Sequence, residues 1–170
     1  MILDVTAGNR MIWGKQKNPA GVIFIDKESG FRIPQDIMAD NTNLPIRTDL
    51  KIDSIIFDPP WMVNPPAWWL DKDRENGTRG DYFGSYDSKK QIVPYLNKAF
   101  NEFKNYTERV CMKWGDSDIP LYRILGFIKR NGWTVINKRE VRAKKNSGGK
   151  SKTLNWWVTF IRKGESKTVE

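Results

Sequence analysis

One seven-residue segment constrains the fold of this chain more than any other. Residues 51–57, KIDSIIF, are apolar through their centre, as expected for a β-strand that is covered on both faces. Strands of this kind belong to mainly parallel sheets, whose neighbouring strands are joined by helices. The segment therefore predicts an α/β fold. It runs directly into an unusual sequence, DPPW, at residues 58–61.

The other apolar segments agree with that fold in their order along the chain. Strands are predicted at MILDVTAG, GVIFIDKE and DIMAD before this segment, and at ERVCMKW, WTVINKREV and TLNWWVTFIRK after it. A helix is predicted at IPLYRILGFIKRNG, closed by Gly132. Another, capped by Ser88, has apolar side chains at helical spacing: Ile92, Leu96, Ala99, Phe100 and Phe103.

This order predicts a Rossmann-like, mostly parallel sheet with helices on both faces and an antiparallel strand at the C-terminal end. We expect one domain over residues 1–163 and a flexible tail over residues 164–170. Residues 62–88 read as a long loop for the substrate, since long loops in compact domains are commonly functional. Residues 142–153 read as a basic hairpin loop.

Composition excludes several chemistries and predicts a compartment. The chain has one cysteine, Cys111, and no histidine, so zinc sites, Cys–His nucleophiles and Ser–His triads lack their residues. We therefore expect no metal, and catalysis by carboxylates, backbone dipoles or a cofactor. No apolar run approaches the length of a membrane span, which predicts a soluble, cytoplasmic protein, or one in the host cytoplasm if the chain is viral.

Aspartates follow the first four predicted strands. These residues are Asp4, Asp26, Asp40 and Asp58. Parallel α/β sheets bind ligands beyond the carboxyl ends of their strands, so the four carboxylates favour a cofactor with hydroxyls and an amine. The alternative for each aspartate is a helix cap or an Asx turn.

The loop after the first strand narrows the cofactor further. Thr6, Ala7 and Gly8 are small enough for the backbone to approach a ligand closely. A pyrophosphate-binding loop carries three spaced glycines before a long helix, and this loop has one, which disfavours NAD. Asp26 follows about 20 residues after the loop, the usual position of an acid that binds ribose hydroxyls. A nucleoside without phosphates fits best.

Charge and aromatic content favour a polyanion with stackable bases. The net charge is +9, and there are 8 tryptophans, a combination that suits nucleic acid. The alternative is a charged surface with tryptophan in the core. Trp68 is a candidate for base stacking or for closing the core at the loop. A basic cluster at the predicted hairpin is a candidate for phosphate binding or a solvated loop: Arg139, Arg142, Lys144, Lys145, Lys150 and Lys152.

Four segments in order carry a family resemblance. LDVTAGNRMIW, VIFID, MADNTNLP and IIFDPPW resemble the successive motifs of class I S-adenosylmethionine-dependent methyltransferases. DPPW resembles the catalytic motif of enzymes that methylate adenine N6 or cytosine N4 in nucleic acids. With CMKWGDSDIP and TLNWWVTFIRK, the layout is similar to small single-domain methyltransferase-like proteins of phages and archaeal mobile elements, over residues 2–163. Two features depart from the class: a glycine-poor first loop, and no convincing helix between the second and third strands.

The resemblance implies a role for each matching residue. The cofactor's methionine moiety would lie against Asp4, Thr6, Ala7 and Gly8, with Asn9 and Arg10 continuing the loop. Asp26 would bind its ribose, and Asp40 with Asn41 its adenine edge. The target amine would be held by Asp58, Pro59, Pro60 and Trp61.

The DPPW segment suits that chemistry physically. An exocyclic amine is a poor nucleophile because its lone pair is delocalised into the ring. Asp58 and the carbonyl of Pro59 can accept its two N–H bonds and direct the lone pair at a methyl sulfonium. Prolines fix φ and hold that carbonyl in place, while Trp61 offers a face for an extruded base. Lys113 is unusual near a strand end that faces this site, and pairing with Asp116 is its simpler explanation.

Several alternatives remain at the level of sequence. Adenine N6 is the favoured target, with cytosine N4 second, and DNA and RNA are equally compatible. A non-catalytic nucleic-acid-binding module is a different class of function, as is a small-molecule or protein methyltransferase. Because 170 residues leave little room for a target-recognition domain, we expect low specificity, specificity set by structured RNA, or specificity supplied by a partner protein or a homodimer.

Overall fold

The structure is a computed structural model that describes residues 1–28, 33–63, 86, 88–116, 118–142 and 154–164. Its strands are β1 (Ile2–Asp4), β2 (Val22–Asp26), β3 (Ile37–Met38), β4 (Ser54–Phe57), β5 (Arg109–Asp116), β6 (Trp133–Arg142) and β7 (Leu154–Arg162). Its helices are a 3₁₀ helix at Met11–Trp13, α1 at Lys89–Phe103 and α2 at Leu121–Arg130. No helix among these residues is both long and apolar enough to cross a bilayer.

The strands form one seven-stranded sheet in the order β3-β2-β1-β4-β5-β7-β6. The first five in that order are parallel, and β7 lies antiparallel to both β5 and β6. The chain passes from β1 to β2 on one side and later returns to β4 on the other, so strand order reverses at β1. The predicted fold class is confirmed. Sheets of this kind bind ligands beyond the carboxyl ends of the strands at which the order reverses, which here are β1 and β4.

Helix α1 builds the core as its spacing predicts. All five predicted apolar side chains are buried, and Ser88 precedes the helix as its cap, donating its backbone N–H to Gln91 Oε1 (3.3 Å). The Phe100 ring packs edge-on against Phe57, Trp133 and Phe160, with centroids 6.0, 5.6 and 5.3 Å away. Helix α2 ends at Arg130, and Gly132 closes it two residues later with a φ of +82°, which suits glycine.

The two faces of the sheet are covered differently in the described residues. We call the side that bears Phe57, Val110 and Phe160 the helix face, because α1 packs on it and α2 contacts α1. Strand register places Asp4, Cys111, Lys113 and Trp157 on the opposite side, the Lys113 face. On that side Trp13 of the 3₁₀ helix packs edge-on against Phe24 (6.0 Å).

Strand β3 is shorter than predicted and begins after Asp36, which pairs with β2 through its side chain as well as its backbone. The Phe24 N–H donates to Asp36 Oδ2 (2.9 Å), and the Asp36 N–H donates to the Phe24 carbonyl (2.8 Å). Only two residues of the predicted 36–40 strand then have strand geometry.

Candidate active site

The loop after β1 is held at the point where strand order reverses. Its Val5 N–H donates to the carbonyl of Ile56 in β4 (3.1 Å), and its Ala7 N–H donates to Ile25 in β2 (3.0 Å). The hydroxyl of Thr6 accepts the N–H of Asp58 (2.6 Å). The loop therefore joins three strand ends, which brings Asp4, Asp26 and Asp58 to one edge of the sheet.

Asp26 fastens the glycine of this loop to the end of β2. Its Oδ2 accepts the N–H of Gly8 (3.0 Å), and its Oδ1 accepts the N–H of Glu28 (3.1 Å). Gly8 has a φ of +47°, a left-handed conformation that favours glycine. Burial raises the pKa of Asp26, and the hydrogen bonds from Glu28 and Gly8 oppose that rise.

Asp4 is a fully buried carboxylate. Its Oδ2 accepts the indole N–H of Trp13 (2.7 Å), and its Oδ1 accepts the N–H of Thr6 (3.3 Å). Burial raises its pKa to about 7; the two hydrogen bonds oppose the rise, and repulsion from Asp58 and Asp26 adds to it. No sequence pattern indicated that Trp13 binds Asp4, because the nine-residue separation of the two residues matches no local motif.

Asp58 pairs with Lys113 across the β4–β5 boundary. Phe57 is in register with Met112, so one further residue sets Asp58 opposite Lys113. The Lys113 ammonium lies 2.7 Å from Asp58 Oδ2, and the two side chains are 30% and 19% exposed. Burial raises the pKa of Asp58, and the Lys113 charge opposes that rise.

The simpler explanation for Lys113 was therefore wrong: it does not pair with Asp116. Asp116 accepts the backbone N–H of Leu121 at the start of α2 and the indole N–H of Trp156 (3.3 Å). Sequence spacing suggested the i+3 partner, but strand alternation directs Lys113 and Asp116 to opposite faces of the sheet.

The remainder of the DPPW segment continues along β5. Pro59 is buried and Pro60 is half-buried. The indole of Trp61 lies directly over Gly115, since a Cβ on that glycine would stand 2.5 Å from Trp61 Cδ2. Glycine is thus the residue that lets Trp61 rest against β5.

The ends of the predicted 62–88 loop meet in space. Val63 forms a β-bridge with Tyr86, and the Val63 N–H donates to Asp118 Oδ2 (2.8 Å). Residues 64–85, which include Trp68, lie outside the described residues. In the predicted basic hairpin, Arg142 is the last residue of β6 and is in register with Leu154. Its side chain and the residues Lys144, Lys145, Lys150 and Lys152 also lie outside the description.

The predicted adenine-edge residues make bonds within the protein. Asp40 is exposed, and its Oδ1 accepts the N–H of Thr42 (2.8 Å) in an Asx turn. Asn41 is buried, and its amide nitrogen donates to the Val5 carbonyl (3.2 Å) and to the Tyr95 hydroxyl (2.9 Å). Asn41 therefore connects the loop after β1 with α1, while the second carboxylate oxygen of Asp40 takes no part in the turn.

Asn9 and Arg10 hold the loop against β2. The Arg10 guanidinium lies 3.7 Å from the centroid of the Phe24 ring and donates to Asn18 and to the Pro34 carbonyl (2.6 Å). The Asn9 side chain accepts the N–H of Ile33 (3.4 Å). Both side chains are buried, so their contacts in the structure are with this chain's own residues.

The assembled groups favour a positively charged ligand with hydroxyl donors. Asp4, Asp26 and Asp58 all have raised pKa values because they are buried, and a nearby cation stabilises their ionised forms. Of the three carboxylates, Asp58 is the one that the Lys113 ammonium stabilises in this way. In the part of the chain that the structure describes, no three acidic or cysteine side chains cluster as metal ligands would.

Comparison with known proteins establishes the fold. The chain matches no protein-family model and no curated protein. It is similar to the crystal structure of a candidate RNA methyltransferase from Pyrococcus horikoshii, with 14% identity, a TM-score of 0.54, and 96% of this chain and 75% of that one covered.

Two further structures show the same likeness. An S-adenosylmethionine-dependent methyltransferase from Clostridium acetobutylicum is 10% identical, with a TM-score of 0.54 and coverage of 96% and 84%. A candidate tRNA (m1A22) methyltransferase from Streptococcus pneumoniae, in complex with S-adenosyl-L-methionine, is 9% identical, with a TM-score of 0.51 and coverage of 99% and 68%. The chain shares the fold of these proteins.

Proposed function

We propose that this protein transfers the methyl group of S-adenosylmethionine to an exocyclic amine of a nucleic-acid base, with adenine N6 the favoured target. The observation that carries the proposal is the meeting of Asp4, Asp26 and Asp58 around one small-residue loop at the reversal of strand order. The solved neighbours support it, since they share the fold and one of them holds this cofactor.

The donor set fits the proposed cofactor. S-adenosylmethionine carries a sulfonium, an ammonium and two ribose hydroxyls, and it supplies an electrophilic methyl group. We assign the ammonium to Asp4, whose buried carboxylate has a pKa of about 7 and is stabilised in its ionised form by a cation. We assign the ribose to Asp26, whose oxygens each accept one backbone N–H and keep further lone pairs. The Thr6–Gly8 backbone would lie against the methionine moiety.

Asp58 and the Pro59 carbonyl would bind the target amine. Each accepts one amine N–H, which localises the nitrogen lone pair for attack on the methyl carbon. Asp58 would stabilise the cationic nitrogen that forms as the methyl carbon exchanges its bond to sulfur for one to nitrogen, and it would pass one of the nitrogen's protons to solvent. The Lys113 charge opposes the effect of burial on the pKa of Asp58, and it thereby favours the ionised carboxylate, which is the form that accepts.

A nucleic-acid substrate is supported by charge and by the neighbours. The chain carries +9, and two of the similar structures are named as RNA or tRNA methyltransferases. One of those names specifies a ring nitrogen rather than an exocyclic amine, so the choice of atom rests on the DPPW segment. RNA is therefore the favoured polymer, cytosine N4 the second target, and specificity would come from RNA structure, a partner or a homodimer.

The test is methyl transfer by variants of Asp58. Wild-type protein incubated with tritiated S-adenosylmethionine and mixed RNA and DNA should label the polymer, and mass spectrometry of the nucleosides should identify N6-methyladenine. Asp58→Asn should keep cofactor affinity but lose most transfer, because an amide oxygen accepts without charge. Asp49→Asn is the matched control, since that carboxylate is exposed and pairs only with Arg47 in the described structure.

Three outcomes would decide against the proposal, and a fourth would change only its target base. Full activity in Asp58→Ala, or methyl label on a ring carbon, would contradict the amine mechanism. No binding of S-adenosylhomocysteine at millimolar concentration by calorimetry would favour a non-catalytic binding module. N4-methylcytosine as the product would keep the mechanism and replace the target base.

A further inference from the structure

A row of side chains extends from Asp58 across the C-terminal strands. Lys113 on β5 is in register with Trp157 on β7, and Trp157 is in register with Arg139 on β6. Residues in register across a sheet point to the same face. Asp58, Lys113, Trp157 and Arg139 therefore follow one another on the Lys113 face, over three strand spacings or ~14 Å.

Trp61 lies on the same face, one step along the strands. The missing Cβ of Gly115 is directed to the Lys113 face, because Gly115 and Lys113 are two residues apart on β5, and the Trp61 indole occupies that position. Gly115 is in register with Asn155, which is two residues before Trp157. Gly115, which Trp61 covers, is therefore a diagonal neighbour of Trp157. The two indoles are both half-buried and lie beside the Asp58–Lys113 pair.

Strand alternation separates this row from the adjacent tryptophan. Trp156 faces the other side: it packs against the core, donates to Asp116, and has the Lys138 ammonium 4.8 Å from its ring centroid. The exposed Arg139, next to Lys138 along β6, lies on the Lys113 face with Trp157. The twin tryptophans of NWW therefore have different roles, and only the second belongs to the face of the candidate site.

We propose that Trp157 and Arg139 form a subsite for the single-stranded nucleotides that flank the target base, a proposal that rests on the proposed function. Trp157 stacks on the base next to the target, and Arg139 pairs with the adjoining phosphate. An indole and a guanidinium beside one another provide the two contacts that unpaired nucleic acid requires, a stacking face and a backbone cation. The occupant is an unpaired strand rather than a duplex, because stacking on Trp157 needs a base outside a helix.

The experiment measures binding of a fluorescein-labelled, single-stranded 12-nucleotide RNA at several KCl concentrations. Arg139→Gln should weaken binding and reduce the slope of log affinity against log salt by about 0.7, as expected for one lost phosphate contact. Lys138→Gln removes the same charge from the neighbouring residue on the helix face and should leave the slope unchanged. Trp157→Ala should weaken binding by about 5- to 150-fold, whereas Trp157→Phe should restore most of it.

The outcomes separate this subsite from the proposed function. Equal effects of Arg139→Gln and Lys138→Gln would overturn the subsite, because binding would then depend on overall charge. Full affinity in Trp157→Ala would also overturn it. If the wild-type protein transfers methyl groups, neither of these two results would count against the methyl-transfer proposal. Conversely, inactive wild-type protein whose RNA binding depends on Trp157 and Arg139 would support the subsite and refute the methyltransferase.

Discussion

Replacing Asp4 with asparagine should change how the stability of this protein depends on pH. The folded state raises the pKa of Asp4 from 3.8 to about 7, so between these values the native protein holds a proton that the unfolded chain has released. The free energy of unfolding therefore decreases as pH rises through this range. At 1.36 kcal/mol per pKa unit, the rise of about 3 units corresponds to a loss of about 4 kcal/mol.

Asparagine cannot ionise, so the free energy of unfolding of Asp4→Asn should not decrease in this way as pH rises. Its amide oxygen can accept the indole N–H of Trp13, but the N–H of Thr6 loses its acceptor at a cost of about 1 kcal/mol. We therefore expect Asp4→Asn to be less stable than wild type by about 1 kcal/mol near pH 4 and more stable by about 3 kcal/mol near pH 8. The two stability curves should cross between these values.

Urea denaturation followed by tryptophan fluorescence from pH 4 to pH 8.5 would measure both curves. Asp26 and Asp58 also have raised pKa values, so the quantity to compare is the difference between variant and wild type. Asp49 is an exposed carboxylate, so the difference in free energy of unfolding between Asp49→Asn and wild type should not show this dependence on pH. A difference for Asp4→Asn that stays constant across the range would refute the reasoning that burial holds the pKa of Asp4 near 7.

Two further predictions concern β5. Gly115→Ala should displace Trp61, because the new Cβ would stand 2.5 Å from the indole. We expect its free energy of unfolding to be about 1–3 kcal/mol lower, and its methyl transfer to be weaker with unchanged cofactor binding. The control is Gly126→Ala, whose new Cβ has its nearest neighbour 4.0 Å away and which should be neutral or stabilising. Lys113→Met should raise the pKa of Asp58 further, since Lys113 opposes the effect of burial, and the acid limb of the pH–rate profile should move to higher pH. Unchanged activity in the first variant, or an unmoved acid limb in the second, would contradict these assignments.

The layers of the fold, and the edge of the sheet at which the candidate site lies, follow from patterns in the sequence alone. Apolar periodicity specifies which side chains are buried in a strand or helix, and α1 buries all five predicted residues. Aspartates at the ends of consecutive parallel strands must meet at one edge of a sheet, and the ends of β1, β2 and β4 do so. These features are local along the chain, which is why the sequence was enough.

Which side chains face one another across that edge depends instead on the arrangement of the strands in three dimensions. Lys113 pairs with Asp58, 55 residues away, rather than with Asp116, and Trp13 binds Asp4. Asn41 bonds to the loop after β1 and to α1, and of the paired tryptophans it is Trp157 that shares a face with Lys113. Such partners depend on strand order and register, and a shift of one residue in register would send each side chain to the opposite face. Register is fixed by packing across the whole sheet, so residue types and spacings along one segment do not contain it.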